Sequence, residues 1–106
     1  MHNFKKLQIW NLSMDLAADV YKATEGFPKT EIYGITNQIR KSAVSIPSNM
    51  AEGSGRGSNP DFIRFLNYSY GSTCELETQL ILGNRLGFME NSPAQALTGS
   101  IVVFKK

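Results

Sequence analysis

The stretch EIYGITNQIRKSAVSIPSNM, residues 31–50, decides the fold class. Ile32, Ile35, Ile39, Ala43, Ile46 and Met50 step along it by three and four residues. That spacing returns apolar side chains to one face of a helix, and the pattern is too long for a strand. Thr30 is the expected N-cap, and Glu31 falls in the first turn, where a carboxylate meets the positive end of the helix dipole. Pro47 lies inside the pattern. It removes a backbone donor and crowds the preceding turn, so a kink or break is expected near Val44–Ser48. The helix should be finished by Gly53.

On the N-terminal side, a first helix runs from about Leu7 to Thr24. Leu7, Trp10, Met14, Ala17 and Tyr21 recur as its main stripe, and Leu16 and Val20 form a flanking one. Asp15 and Asp19 face solvent. Glu25-Gly26-Phe27-Pro28 punctuates a turn. On the C-terminal side, residues 52–58 read as a flexible glycine-rich connection. Ser58, with Asp61 three residues on and Pro60 between, announces a third helix. Phe62, Phe65, Leu66, Ser69, Thr73, Leu76, Leu80 and Gly83 share one of its faces. Ile63, Tyr70, Cys74 and Ile81 form a second stripe, and a helix with two apolar stripes needs two partners. Gly87 ends it. Ser92, with Pro93, starts a fourth helix over the short tail Ala94–Lys106. The expected architecture is one all-α domain over residues 1–106. It is an up-down-up-down four-helix bundle whose fourth helix is short or incomplete.

A chain of 106 residues buries only about 60–65% of the surface it exposes when unfolded, so it gains from association with other chains. Charged residues make up 19% and hydrophobic residues 42%, which fits a folded globular domain rather than a disordered chain. A net charge of +2 is too mild to mark a nucleic-acid binder unless the basic side chains gather on one face. With one cysteine, Cys74, no intramolecular disulfide can form. A reducing cytoplasm fits, and a cytoplasmic location is expected. The N-terminus, interrupted by Gln8, Asn11, Ser13 and Asp15, has no apolar signal region. No apolar run approaches the roughly 18 residues of a membrane span.

No residue pattern supports catalysis. GSGRG lacks the lysine and hydroxyl of a phosphate loop, and no strand pattern precedes it. A di-iron site would need Glu-x-x-His on two helices. The chain has one histidine, His2, near its N-terminus, and Glu75 and Glu77 point to different helix faces. Cys74 has no histidine near it in sequence to act as a base. The expectation is therefore no enzyme activity, no metal and no cofactor. Ser45, Asn49 and Glu52 share a helix face and, with Glu75, are expected to form a structural polar network around Pro47, satisfying the carbonyl freed near Ala43. Arg40 and Lys41 on the second helix, Arg56 in the following connection and Arg64 on the third helix are the candidate nucleic-acid contacts. Lys5 and Lys6 precede the first helix.

Several runs together resemble a known family: Phe4-Lys5-Lys6-Leu7-Gln8-Ile9-Trp10; Tyr33-Gly34-Ile35; Ser45-Ile46-Pro47-Ser48-Asn49-Met50-Ala51-Glu52-Gly53; Gly71-Ser72 with Glu75-Leu76-Glu77; and Leu86-Gly87-Phe88. The family is that of the four-helix-bundle intervening-sequence proteins, encoded in insertions within bacterial large-subunit ribosomal RNA genes. The accessory variability proteins of diversity-generating retroelements look similar. The resemblance covers about the first 88 positions, and beyond Glu90 the sequence departs from the pattern. It implies a homopentameric ring, no enzyme activity, and RNA, DNA, a reverse transcriptase or another protein as partners.

Two functional readings follow. A basic surface formed by assembly would bind nucleic acid, and this reading expects Arg40, Lys41, Arg56 and Arg64 on one face. A structural oligomer whose partner is a protein would instead carry dispersed charge beside an exposed apolar groove.

Overall fold

The computed structural model describes residues 3–101. Among them are four α-helices and two short 3-10 turns, and no strand. The helices are α1 (Gln8–Thr24), α2 (Ile35–Ser54), α3 (Asn59–Arg85) and α4 (Asn91–Ile101). His2 and residues 102–106 lie outside the described residues.

α2 and α3 run antiparallel. Gly53 packs on Phe65, the Ile46 carbonyl meets Ser69, and Gly83 lies within reach of Ile39. α1 is antiparallel to α2 in turn: Ser13 approaches Met50 at one end, and Thr24 bonds to Arg40 at the other. α4 packs against both α3 and α1. The core between the helices contains Leu16, Val20, Ile39, Ile46, Leu76, Leu80 and Ile101, all buried. No helix among the described residues is long and apolar enough to cross a membrane.

α2 bears out the isoleucine stripe. Ile35, Ile39, Ala43, Ile46 and Met50 are buried. Its start is later than expected. Thr30 and Glu31 belong to a 3-10 turn, and Gly34, at φ −107 and ψ −122, separates that turn from the helix. Glu31 Oε1 accepts from the Ile35 N–H at 3.5 Å, so this carboxylate caps α2 from outside. Ile32 therefore falls before the helix and is exposed. Pro47 is buried and does not break α2, which continues as one helix to Ser54. Gly53, expected to lie in a flexible connection, is a buried helical residue. A Cβ there would sit 2.6 Å from Phe65 Cβ, so its hydrogen lets α2 and α3 close together.

α3 begins as read. Ser58 Oγ accepts from the Asp61 N–H at 3.3 Å, and Pro60 occupies the first turn. Two residues past its end, Gly87 has a φ of +79, which costs glycine little and would strain other residues. The Phe88 N–H then reaches back to the Gly83 carbonyl at 3.0 Å, closing the helix end. α4 starts at Asn91, one residue before Ser92, and buries Ala94, Leu97 and Ile101. Within the described residues α4 covers Asn91–Ile101.

Candidate docking face

α1 buries the flanking stripe of Leu16 and Val20, with Ala17, rather than the whole of the main apolar stripe. Ser13, Leu16, Ala17, Val20 and Thr24 are buried, while Met14 and Tyr21 are 45% and 44% exposed. The two hydroxyl residues can be buried because each bonds within its own helix. Ser13 Oγ donates to the Trp10 carbonyl at 2.7 Å, and Thr24 Oγ1 to the Val20 carbonyl at 2.9 Å. That rotation leaves Met14 and Tyr21 exposed beside α2, with Trp10 half-buried against the core next to them.

Their neighbours on α2 are Val44, Pro47 and Ala51. Together they line a groove of about 500 Å³. A second groove of about 500 Å³ shares Tyr21, Val44 and Ser48 with the first and extends past Arg40 and Lys41 to Ile32 and Tyr33. Tyr33 is 94% exposed. The two halves form one long trough between α1 and α2. It is apolar at the Trp10 end, basic in the middle, and apolar again at Ile32 and Tyr33. No carboxylate lines either half.

The four candidate nucleic-acid residues are divided between two places. Arg40 is held by α1: its Nε–H donates to Thr24 Oγ1 at 2.9 Å, its Nη2 reaches the Tyr21 carbonyl at 3.4 Å, and its guanidinium lies 4.7 Å over the Tyr21 ring. A cation at the last carbonyls of a helix also meets the negative end of its dipole. Lys41, next to it, is exposed. Arg56 and Arg64 lie at the far end of α2, roughly 20 Å away by helix rise. Arg56 pairs with Glu52 at 3.0 Å and Arg64 with Asp61 at 3.2 Å, and both guanidinium groups lie over Phe65.

The four residues read as a polar network around Pro47 are not joined into one. Asn49 Nδ2 donates to the Ser45 carbonyl at 2.8 Å. Glu52 is exposed and turned to Arg56, and Glu75 is exposed on α3. The buried tie near the proline is instead Ser69 Oγ to the Ile46 carbonyl at 2.8 Å, which pins α3 to α2. Ser69 shared a stripe with large apolar residues in the sequence, and nothing there marked it as the bridging donor.

Because Arg40 is a clamp and Lys41 is not, the two should respond differently. Arg40→Ala removes two hydrogen bonds and a cation–ring contact and is expected to cost about 1–2 kcal/mol. Lys41→Ala should change stability by less than about 0.5 kcal/mol. Urea denaturation of both variants checks this, and equal losses would contradict the assignment.

A model of the 23S rRNA-intervening sequence protein family matches residues 5–106, a span that includes the segment after Glu90. No curated protein matches the chain. Among solved structures, it is similar to a Bacteroides thetaiotaomicron protein with unknown function from the S23 ribosomal protein family. The TM-score is 0.81 and the identity 22%, with 92% of this chain and 91% of that chain covered. At that identity the likeness speaks to the fold.

Proposed function

Since this chain belongs to the 23S rRNA-intervening sequence protein family, we propose that it works without catalysis, as a helical bundle that assembles with copies of itself through the α1–α2 face. The observation that carries this reading is the trough itself: Met14, Tyr21 and Val44 are exposed together beside the half-buried Trp10 on a small domain. Monomeric proteins rarely leave a contiguous apolar surface of this kind uncovered. The occupant is a second copy. α3 lines neither half of the trough and carries a second apolar stripe of its own, Ile63, Tyr70, Cys74 and Ile81, of which Ile63, Tyr70 and Ile81 are exposed. A chain with a groove on one face and a matching ridge on another makes head-to-tail contacts, which close into a ring when the rotation allows. The resemblance to ring-forming relatives suggests five copies.

The charge distribution supports a protein partner over a polyanion. Arg56 and Arg64 already face carboxylates, and they stand well apart from Arg40 and Lys41. RNA or DNA binding would rest on Lys41 and on the repetition of weak contacts around a ring.

The chain has one tryptophan, and it lies in the trough. Its fluorescence therefore reports on the proposed contact. Trp10 should be shielded from acrylamide at high micromolar concentration and should become quenchable, with red-shifted emission, on dilution. Quenching that does not change with concentration would count against self-assembly through this face. Shielding that appears only on addition of another protein, or of RNA, would transfer the face to that partner.

A further inference from the structure

Thr36 is 2% exposed, and its Oγ1 has no hydrogen-bond partner among the described residues. The buried hydroxyls of α1, on Ser13 and Thr24, bond instead to carbonyls of their own helix. Leaving a buried hydroxyl unbonded costs free energy, which an acceptor from outside the chain would recover. Thr36 stands where two cavities meet. The basic half of the trough, about 500 Å³, and a second cavity of about 330 Å³ share Ile32, Thr36 and Arg40. Phe27 and Pro28 wall the smaller cavity, and the exposed Glu25 and Lys29 also line it.

Arg40 follows Thr36 by one turn on the same face of α2. Its Nε and Nη2 bonds tie it to α1, and its Nη1 enters no hydrogen bond among the described residues. No carboxylate pairs with it there, since the ion pairs are Arg56 with Glu52 and Arg64 with Asp61. A half-buried cation without a counter-charge thus stands beside a buried hydroxyl without an acceptor, in a cavity with apolar walls. We infer that this cavity binds a small carboxylate. One oxygen takes an N–H of Arg40 Nη1, the other takes the Thr36 hydroxyl, and an apolar substituent rests on Phe27, Pro28 and Ile32. Two donors suit the two in-plane oxygens of a carboxylate. A phosphate dianion would bring more negative charge towards Glu25 and leave further oxygens without donors. A free organic acid and the C-terminus of a peptide share this chemistry. The cavity lies within one chain, so it stands or falls independently of self-assembly.

Four probes test the site by NMR titration of the isotope-labelled chain: phenylacetate, phenylacetamide, acetyl-phenylalanine and inorganic phosphate. Phenylacetate should saturate at about millimolar concentration and shift the Thr36 amide and the Arg40 Nε–H signals. Phenylacetamide, of the same shape without the charge, and phosphate should bind roughly tenfold more weakly or worse. Tighter binding of acetyl-phenylalanine than of phenylacetate assigns the cavity to a peptide C-terminus, and the reverse order assigns it to a free acid. Thr36→Val keeps the side-chain shape and removes only the hydroxyl. Because that hydroxyl bonds to nothing in the chain, the melting temperature should hold or rise, while phenylacetate affinity falls roughly tenfold. Thr36→Ser should restore most of the affinity. The inference is overturned if phenylacetate does not saturate the wild-type chain, or if phenylacetamide or phosphate binds as tightly. It is equally overturned if Thr36→Val binds like wild type, or if that variant melts clearly lower, which would give the hydroxyl a partner within the chain.

Discussion

Glutamate in place of Val44 is expected to leave a folded, helical monomer. Val44 is 42% exposed and lines both halves of the trough. In one chain alone, a glutamate there points to water and disturbs nothing buried. In the assembly the same carboxylate would be pressed against Trp10, Met14 and the incoming apolar stripe, losing water that the neighbouring Lys41 only partly replaces. Desolvating a charge costs free energy even beside a partner, and a ring meets that cost at every interface. Association should fall by more than about a hundredfold. Light scattering should give the mass of one chain, while far-UV circular dichroism retains the wild-type helix signal. An unchanged oligomer mass would show that copies meet through another face.

Leu76→Ala should produce the largest loss of stability. Leu76 is fully buried on α3, within the core that it shares with Ile39, Ile46 and Leu80. Truncation removes the transfer free energy of the side chain and leaves a cavity, and such changes cost about 2–5 kcal/mol. A domain of this size has about 5–15 kcal/mol in total. At roughly 4–8 °C per kcal/mol for a domain of about this length, the melting temperature should fall by about 10 °C or more. Urea denaturation gives the free energy directly. A change below about 1 kcal/mol would mean that α3 does not present this side to α2. Tyr70→Ala, on the outward stripe of the same helix, should leave the monomer's stability nearly unchanged and weaken assembly. Those two results together separate the two faces of α3.

What was legible in the sequence depended on whether an element's buried face was purely apolar. In α2 and α3 the apolar periodicity marks the buried face; at the start of α3 the cap residues agree with it, whereas Thr30 and Glu31 lie in a 3-10 turn ahead of α2. In α1 the core takes the flanking stripe of Leu16 and Val20 with Ala17, and the rest of the expected main stripe turns away from it. Ser13 and Thr24 are buried because each hydroxyl satisfies itself on its own helix. A hydrophobic count treats such residues as surface, and so Met14 and Tyr21, which line the trough, were assigned to the core. The trough was hidden for the same reason. Pro47 was expected to disturb α2, but the helix remains continuous while Ser69 of α3 donates to the Ile46 carbonyl. That bond joins residues 23 positions apart, and no local pattern reveals such a pairing. The basic residues were visible one by one. Their division into a clamp on α1, an exposed lysine and two ion-paired arginines is set by tertiary geometry.

The mass of the wild-type chain in solution, measured by light scattering from low to high micromolar concentration, tests the central claim most directly. Self-assembly through the α1–α2 face predicts one closed species, an integer multiple of the 11.8 kDa chain, with five copies favoured, and no further growth as concentration rises. A mass of one chain throughout would contradict it.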